Sequence, residues 1–447
     1  MGILARKPGC SVTSPYYSDR SRSLPNTNDT PTGSRDFHAS RDILAAADRC
    51  VMCGLCLPHC PTYRLLRNEA DSPRGRIALM QALADGRLQP SPPLLTHLDR
   101  CLSCRACERM CPSKVEYGKL IDATRTELKH AGQLEQPRRL RLLLQSVTDI
   151  PRLQQIAAAM RTYQRNGLQW LARKSGVLKG LDLDSLETLL PAIPEAKRFD
   201  SHYPAHGERR GAVGLFIGCI GSIMEGGIHA ASIELLTRLG YEVHIPASQG
   251  CCGSLHQHNG EAETARQLAL RNRDAFAGLE LDAIISTASG CAAQLFEYGT
   301  LYGGEQSLPA PLFEVCDFLN RYWREEISLK AQPLRVAVHL PCSQRNVLRS
   351  PDAVSALLHR IPALQVEALP GNDQCCGAAG SYMLTQPDNA DALRRIKVEA
   401  VARLQPQLLL SNNIGCALHI AGGLKAQGVD VEVMHPVVLL ARSLQER

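Results

Sequence analysis

The run Cys50-Val-Met-Cys53-Gly-Leu-Cys56-Leu-Pro-His-Cys60-Pro61 decides the fold of the first part of the chain. It occurs a second time as Cys101-Leu-Ser-Cys104-Arg-Ala-Cys107-Glu-Arg-Met-Cys111-Pro112. Both runs have the spacing C-x2-C-x2-C-x3-C-P, which is typical of bacterial sequences that hold iron–sulfur clusters through cysteine thiolates. The first three cysteines of a run can each reach a separate iron of a cubane, and the proline that closes the run cannot continue a helix. The sequence therefore predicts two [4Fe–4S] clusters.

The fourth cysteine of each run is expected to ligate the cluster of the other run, as it does in two-cluster ferredoxins. This crossed assignment gives cluster A the ligands Cys50, Cys53, Cys56 and Cys111, and gives cluster B the ligands Cys101, Cys104, Cys107 and Cys60. The alternative is structural zinc, which usually pairs two CxxC units or combines cysteines with histidines. Two tandem four-cysteine runs, each closed by Cys-Pro, favour iron–sulfur.

Composition limits the class of protein. The chain has 447 residues, 44% of them hydrophobic and 21% charged, as in an ordinary soluble protein with two or three domains. A formal net charge of +6 is too small to indicate nucleic-acid binding. Of the 18 cysteines, all but Cys10 and Cys316 fall into four motifs with cofactor-like spacing, which favours a reducing, cytoplasmic setting. No run of 18 apolar residues occurs, so we expect no transmembrane helix, and any membrane contact would be peripheral, at the inner face.

Five segments are expected along the chain. Residues 1–40 are rich in Ser, Thr, Pro, Asn and Arg and are predicted to be disordered. The others are a mainly helical two-cluster domain (41–130), a basic helical connector (131–210) and two cysteine-rich domains (211–325 and 326–447). In the two-cluster domain, Pro73 suits a helix start, and Ile77, Met80 and Leu83 recur at helical spacing.

The connector carries ten Lys or Arg and only two acidic residues between Lys129 and Lys179, together with an amphipathic apolar pattern. One interpretation is a surface that docks to a partner subunit or to an anionic membrane. The other, which we favour, is the solvated face of helices that pack against the neighbouring domains.

An internal repeat organises the second half of the chain. Its first copy contains Cys219, Cys251-Cys252-Gly253 and Gly290-Cys291, and its second copy contains Cys342, Cys375-Cys376-Gly377 and Gly415-Cys416. The offsets between matching cysteines are 123, 124 and 125 residues, so the four cysteines stay in register over the whole unit. This pattern indicates one duplicated domain.

Short apolar runs precede each motif cysteine, and helical periodicity fills the intervals, as in 230–239 and 261–276. The runs, which we predict to be strands, are 213–217, 242–245 and 283–285 in copy one and 336–338, 365–369 and 408–410 in copy two. Alternating strands and helices favour an α/β fold with a parallel sheet, and ligands of such sheets bind beyond the carboxyl ends of the strands. We therefore expect the four thiols of each copy to converge on one additional redox or metal site, which would hold a cluster, zinc or nothing. The glycine after each Cys-Cys permits a positive φ or a close backbone approach.

The chain resembles the iron–sulfur subunits of glycolate oxidase over residues 41–447. The resemblance rests on the two cluster runs and on four further stretches: Asp71-Ser-Pro-Arg-Gly-Arg-Ile77, His97-Leu-Asp-Arg-Cys101, Thr287-Ala-Ser-Gly-Cys291 and Asn413-Ile-Gly-Cys-Ala-Leu-His419. The wider family includes iron–sulfur subunits of lactate-oxidising and anaerobic glycerol-3-phosphate dehydrogenases, and heterodisulfide reductase. The sequence departs from heterodisulfide reductase where that family has a CxxC pair, because Ala288 and Asn413 replace its first cysteine. The special disulfide-reducing cluster of that enzyme is therefore not predicted here.

The resemblance implies an electron-transfer subunit of a glycolate oxidase (glycolate dehydrogenase) complex. A flavoprotein partner would oxidise glycolate to glyoxylate, or D-lactate to pyruvate, and this chain would pass the electrons toward a quinone or another non-NAD acceptor. Oxidation of a hydroxy acid releases two electrons, whereas a cubane accepts one, so an organic cofactor is needed. We find no G-x-G-x-x-G in a βαβ setting, so FAD is expected on the partner subunits only, and no catalytic residue is predicted in this chain.

Two alternatives stay open: the corresponding subunit for lactate or glycerol 3-phosphate oxidation, and a non-catalytic scaffold stabilised by metal. Within the second run, Arg105 and Arg109 would either raise the potential of cluster B or lie in solvent.

Overall fold

The computed structural model describes residues 41–176 and 191–445. The expected disordered extension, residues 1–40, lies outside the described residues, as does part of the connector. The first described segment is helical. Its helices are α1 (Arg41–Asp48), α2 (Pro61–Leu66), α3 (Pro73–Ala84), α4 (Pro92–Asp99), α5 (Ala106–Arg109) and α6 (Tyr117–His130), with 3-10 turns at Leu57–His59 and Glu69–Asp71.

Helix α3 lies between the two cysteine runs in sequence and begins at Pro73, as predicted. The Ser72 hydroxyl caps it by accepting a hydrogen bond from the Gly75 N–H at 3.0 Å. One face of the helix buries Ile77, Met80 and Leu83 against residues of α1 and α6. This small apolar core holds the loops that carry the cysteines.

The connector forms α7 (Arg138–Thr148), α8 (Ile150–Arg165) and α9 (Leu168–Ser175). Helices α7 and α8 bury an apolar stripe that includes Val147 and Leu153, and these two side chains pack against the first cysteine-rich copy. Their arginines lie largely on the other faces, so α7 and α8 follow the favoured packing interpretation. The segment expected as a basic helical connector also contributes β1 (His202–Tyr203), which pairs antiparallel with β3. A two-residue strand carries no periodicity that a sequence pattern could reveal.

Copy one is a five-stranded sheet in the order β1-β3-β2-β4-β5, parallel except for β1. Its remaining strands are β2 (Gly211–Phe216), β3 (Tyr241–His244), β4 (Ala283–Ser286) and β5 (Leu312–Glu314). Its helices are α10 (Gly221–Met224), α11 (Gly226–Arg238), α12 (Ser254–His258), α13 (Ala262–Phe276), α14 (Ser289–Phe296), α15 (Tyr298–Tyr302) and α16 (Val315–Tyr322).

Copy two is a four-stranded parallel sheet in the order β7-β6-β8-β9. Its strands are β6 (Arg335–Val338), β7 (Gln365–Ala368), β8 (Leu408–Leu410) and β9 (Glu432–Met434). Its helices are α17 (Ala353–Leu358), α18 (Tyr382–Thr385), α19 (Pro387–Leu404), α20 (Ile414–Ala426) and α21 (Pro436–Arg442), with a π-helix at Ser343–Val347. The order matches β3-β2-β4-β5 of copy one, which confirms the duplicated parallel-sheet fold.

The two copies share one apolar core. Leu235 and Val243 of copy one, Val338 and Leu440 of copy two, and Phe318 of α16 belong to the same buried cluster. The copies therefore pack against each other through this shared core.

Candidate metal centres

The first cysteine run folds around a cavity, here called cavity A. The cysteines that line it are Cys50, Cys53, Cys56, Cys107 and Cys111. Met52 and Gly54 have φ of 55° and 80°, and their counterparts in the second run, Ser103 and Arg105, have φ of 49° and 58°. Both runs thus place left-handed residues at the same two positions, and these turns bend the backbone around a central space.

The second cavity, cavity B, is lined by Cys60, Cys101, Cys104 and Cys107. Cys60 thus joins the cysteines of the second run, and Cys111 joins those of the first. Cys107 lies on the wall between the two cavities and lines both. The Tyr117 hydroxyl lies 3.6 Å from Cys101 Sγ and can donate to it.

Burial raises the pKa of Cys56 to about 11, and burial also raises the pKa of Cys104 and Cys107 well above the usual range. Without bound metal these thiols are protonated near neutral pH. Binding iron displaces the protons, so cluster assembly is linked to pH.

A buried ion-pair network that the sequence analysis missed supports cavity B. Arg76 and Asp71 are 1% and 0% exposed and approach to 3.3 Å. Arg76 also donates to Thr62 Oγ1 at 3.1 Å and to the His97 carbonyl at 2.6 Å, and Arg100 reaches Asp71 at 3.3 Å. The Asp-Ser-Pro-Arg-Gly-Arg stretch was the available signal, but charged residues at the start of a helix are normally placed in solvent.

Arg105 does not lie in solvent. Its guanidinium is paired with Glu108 and with Glu297 of copy one, and it lines cavity B. Two carboxylates offset its charge, which weakens the expectation that it raises the potential of cluster B. Arg109 is exposed.

The four motif cysteines of each copy converge at the carboxyl ends of the strands, as expected. In copy one, Cys219 Sγ lies 3.3 Å from Cys251 Sγ, and the row continues through Cys252 to Cys291.

In copy two, Cys342 and Cys375 have sulfurs 4.0 Å apart, and Cys376 and Cys416 have sulfurs 3.1 Å apart. Contact with Cys375 and then burial raise the pKa of Cys342.

The glycine after each Cys-Cys adopts the predicted positive φ. The angle is 84° at Gly253 and 91° at Gly377, and each glycine N–H lies 3.4 Å from the sulfur of the first cysteine of its pair. A Cβ on Gly377 would come within 2.5 Å of the Ala390 carbonyl oxygen. The positive φ and the close backbone contact both favour glycine at this position. The turn that glycine permits directs the sulfurs of the Cys-Cys pair toward the row.

The two rows have different neighbours. Cys342 and Cys375 belong to the same apolar cluster as Leu102 and Cys104, and Asn346 donates to the Cys104 carbonyl at 2.7 Å. The thiols of copy two therefore border cavity B.

In copy one, by contrast, Cys219 and Cys251 lie under Val147 and Leu153 of the connector. The connector thus covers the thiols of copy one, whereas the two-cluster segment lies against the thiols of copy two.

A buried carboxyl–imidazole pair lies near the thiols of copy one. His229 Nε2 is 3.8 Å from Glu225 Oε2, which accepts a hydrogen bond from Thr287 Oγ1 at 3.2 Å. Burial raises the pKa of Glu225 to about 7 and lowers that of His229 to about 3. The pair is therefore uncharged in mildly acidic solution.

The histidines between the motifs serve as packing residues. His256 pairs with Glu261 at 2.5 Å, and His258 pairs with Asp122 of α6 at 3.2 Å. A histidine that the sequence analysis did not select, His339, brings a ring nitrogen together with the sulfurs of Cys376 and Cys416, all three atoms within 4.8 Å of one another.

Comparison with known proteins places this geometry in a family. The family described as 4Fe-4S dicluster domain matches residues 46–115, and that described as cysteine-rich domain matches residues 213–296 and 336–421. A third, described as the linker region of the glycolate oxidase iron-sulfur subunit, matches residues 141–190. The chain is 33% identical to the glycolate oxidase iron-sulfur subunit of Escherichia coli (strain K12) over 83% of its own length and 89% of that protein. The chain belongs to the glycolate oxidase iron–sulfur subunit family.

Two further relatives agree with this. A protein of Bacillus subtilis (strain 168), named as a probable glycolate oxidase iron-sulfur subunit, is 33% identical over 86% of this chain and 90% of its own length. Lactate utilization protein A of Geobacillus thermodenitrificans (strain NG80-2) is 27% identical over 50% of this chain and 95% of its own length. Members of the family are iron–sulfur electron-transfer subunits of oxidoreductases, which implies a flavoprotein partner. No helix within residues 41–176 and 191–445 is both long and apolar enough to span a membrane.

Proposed function

We propose that the chain carries electrons within a glycolate-oxidising complex, from a flavoprotein that converts glycolate to glyoxylate toward a quinone or another non-NAD acceptor. The observation that carries this proposal is the pair of adjoining cavities lined by eight cysteines, with Cys107 in their common wall. Two cubanes in adjoining cavities would exchange single electrons, whereas the flavin of the partner takes two electrons from the hydroxy acid and releases them one at a time. We place the complex in the cytoplasm, with the inner face of the membrane as the place of quinone reduction.

The ligands we assign are those of the crossed arrangement. Cluster A is held by Cys50, Cys53, Cys56 and Cys111, and cluster B by Cys101, Cys104, Cys107 and Cys60. The lining of the cavities supports this assignment, because Cys60 lies with the second run and Cys111 with the first. Cluster A is the nearer of the two to solvent, since Cys53 is exposed and Val51 and Leu55 are exposed apolar residues beside it. We therefore assign cluster A to the contact with the flavoprotein.

The thiol rows of the two copies are proposed as additional redox or metal sites. The row of copy two borders cavity B and so lies next to cluster B. Electrons that reach cluster B from cluster A thus arrive beside Cys342 and Cys375.

D-lactate is the second candidate substrate of the complex. The match with lactate utilization protein A favours it, and that match covers nearly the whole of that relative. The flavoprotein would decide between glycolate and D-lactate, since we assign no substrate-binding residue to this chain.

The function is tested with purified components kept free of oxygen. The cluster-replete chain alone is expected to hold no FAD and to show no turnover with glycolate and a dye. With its flavoprotein added, glycolate should reduce the clusters, and this should appear as reduced [4Fe–4S] signals in EPR. Bound FAD and glycolate turnover by the chain alone would refute this division of roles.

The ligand assignment is tested with reciprocal variants. Cys60→Ser should remove or convert the EPR signal of cluster B and leave that of cluster A, and Cys111→Ser should do the opposite. Cys316→Ser is a matched control, because this buried cysteine lies in the core away from both cavities. Loss of the cluster A signal in Cys60→Ser would refute the crossed arrangement.

A further inference from the structure

The two copies differ at the residue three positions before their first motif cysteine. Copy one reads Phe216-Ile-Gly-Cys219 and copy two reads His339-Leu-Pro-Cys342. Both residues stand at the carboxyl end of the central strand of their sheet, β2 or β6, and both are 1% exposed. The duplication has therefore kept one buried position and changed its chemistry from phenyl to imidazole.

In copy two this position faces the last two thiols. One ring nitrogen of His339 and the sulfurs of Cys376 and Cys416 lie within 4.8 Å of one another. The ring is oriented by a second contact, because its Nδ1 lies 3.0 Å from Ser411 Oγ. The backbone is held as well, since the His339 backbone N–H donates to the Leu410 carbonyl at 2.9 Å. When Nδ1–H donates to Ser411, the lone pair of Nε2 is left for a metal ion, which is the usual way in which a ligating histidine is oriented.

In copy one the phenyl ring fills the same place. Phe216 packs against Cys252 and Cys291, the counterparts of Cys376 and Cys416. Ser286, the counterpart of Ser411, donates instead to the Ala288 carbonyl at 3.2 Å. Ser411 thus orients the imidazole of copy two, whereas its counterpart Ser286 bonds to the backbone. At this position copy one has a phenyl ring in place of a nitrogen ligand.

The charge near the two thiol rows also differs between the copies, and this difference again favours a metal ion in copy two. Lys397 of α19 is 0% exposed, and its ammonium donates to the carbonyls of Gly371 and Gln374, in the loop that leads to Cys375. In copy one the neutral Asn272 lies against the corresponding loop, accepting from the Gly250 N–H at 2.7 Å and donating to the Cys251 carbonyl at 2.8 Å.

This charge difference matters for metal binding. A zinc ion held by three thiolates and one neutral imidazole carries a net charge of −1. Burying that charge is costly unless a cation lies nearby. Copy two supplies the buried Lys397, whereas Arg271, which donates to the Ser248 carbonyl in the corresponding loop of copy one, is exposed.

We propose that copy two binds one zinc ion through His339 Nε2 and the sulfurs of Cys375, Cys376 and Cys416, and that copy one does not bind zinc in this way. Cys375 is the third thiol because it is the next in the row after Cys376. Cys342, at the far end of the row, is left beside cluster B. The inference rests on the proposed use of these thiols as a metal site and adds the histidine ligand, the metal and the difference between the copies.

The donor set suits zinc. One imidazole and three thiolates in a closed, buried site form a common tetrahedral arrangement, with Zn–S near 2.3 Å and Zn–N near 2.0–2.1 Å. Tetrahedral bonds of that length set sulfurs about 3.8 Å apart. The sulfurs of Cys376 and Cys416, 3.1 Å apart, would separate by less than one ångström.

The test measures metal content and zinc coordination in the full chain purified without oxygen. Wild type is expected to contain eight irons and one zinc per chain, with three sulfurs and one nitrogen around zinc in X-ray absorption. His339→Phe, which introduces the residue of copy one, should lose the zinc and keep the eight irons. His419→Gln is the matched control, because His419 is also buried in copy two but uses its Nε2 on the Ala390 carbonyl at 3.2 Å. This variant should keep both metals.

Two further variants keep the proposal testable if His339→Phe fails to fold. His339→Cys should retain one zinc with four sulfurs and no nitrogen. Ser411→Ala should lower zinc affinity about 10–100-fold in a chelator competition, since it removes the group that orients the imidazole.

Zinc with a nitrogen ligand in His339→Cys, or wild type without zinc, would overturn the proposal. Iron above eight per chain without zinc would also overturn it and would assign the row to a cluster. The iron count and the EPR signals of clusters A and B report separately on the proposed function.

Discussion

Replacing Arg76 with methionine tests whether the buried network under cavity B stabilises the two-cluster segment. Arg76 is 1% exposed and satisfies three groups: the Asp71 carboxylate, the Thr62 hydroxyl and the His97 carbonyl. Removing one partner of a buried pair usually costs about 3–5 kcal/mol, because a charge is left without compensation. Arg100 still reaches Asp71 at 3.3 Å, so we expect the lower end, about 3 kcal/mol. This corresponds to about a hundred-fold change in the population of the open state.

The assay is the rate at which the visible cluster absorption is lost in a fixed concentration of guanidinium, without oxygen, since cluster release makes unfolding irreversible. Arg87→Met is the control, because Arg87 lies just after the same helix and pairs with Asp85 at the surface, where ion pairs contribute little. The double variant Arg76→Met with Asp71→Asn removes both charges and should recover part of the loss. Equal rates for Arg76→Met and Arg87→Met would refute the reasoning.

Two other predictions concern the cysteine-rich copies. Gly377→Ala should destabilise the fold by at least about 3 kcal/mol, because a side chain there would have both a φ of 91° and a contact of 2.5 Å with a backbone oxygen. Gly86→Ala, with φ of 70° and open space around it, should cost only about 1 kcal/mol. Both variants are compared by denaturant titration, and equal losses of unfolding free energy would contradict the steric argument. Burial raises the pKa of Glu314 from its usual value near 4.5 to about 8, so this carboxyl stabilises the fold below pH 4.5 relative to high pH, and that stability is lost as the pH rises to about 8. In wild type the free energy of unfolding should therefore fall by on the order of a few kcal/mol between pH 4.5 and about 8. Glu314→Gln should abolish this fall in unfolding curves, whereas Glu280→Gln, at an exposed position, should keep the wild-type profile.

The sequence predicted those parts of the fold in which spacing is itself the structural requirement. The cysteine runs, the repeat and the three strands that precede each set of cysteines all have fixed spacing, and β8 occupies the predicted residues Leu408–Leu410. The edge strands β5 and β9 were not predicted, because they are three residues long and no motif cysteine follows them. Strand β1 was hidden in the same way inside the connector.

The missed site residues depend on contacts that are distant in the chain. His339 meets Cys416 only because β6 and β8 are neighbours in the sheet, and nothing in the local sequence marks it as a ligand. Arg76 looks like an ordinary charged helix residue until α3 is packed against the cysteine loops. Likewise, the apolar stripe of α7 and α8 indicated a buried face, but its periodicity does not say that the face covers Cys219 and Cys251. The ligands of clusters A and B stay a prediction that the reciprocal cysteine variants test.

The position of Cys107 has a consequence for how charge accumulates. Cys107 is buried in the wall of both cavities, so charge added to one of the proposed clusters would act on the other through protein, where electrostatic screening is weaker than in water. The first reduction should then make the second harder, and the two clusters should titrate as a coupled pair with separated midpoints, even if their intrinsic potentials are equal. With such coupling the two clusters would together hold one electron more readily than two. In the proposed complex, the second electron of the flavin would then enter the chain only after the first has left the two clusters.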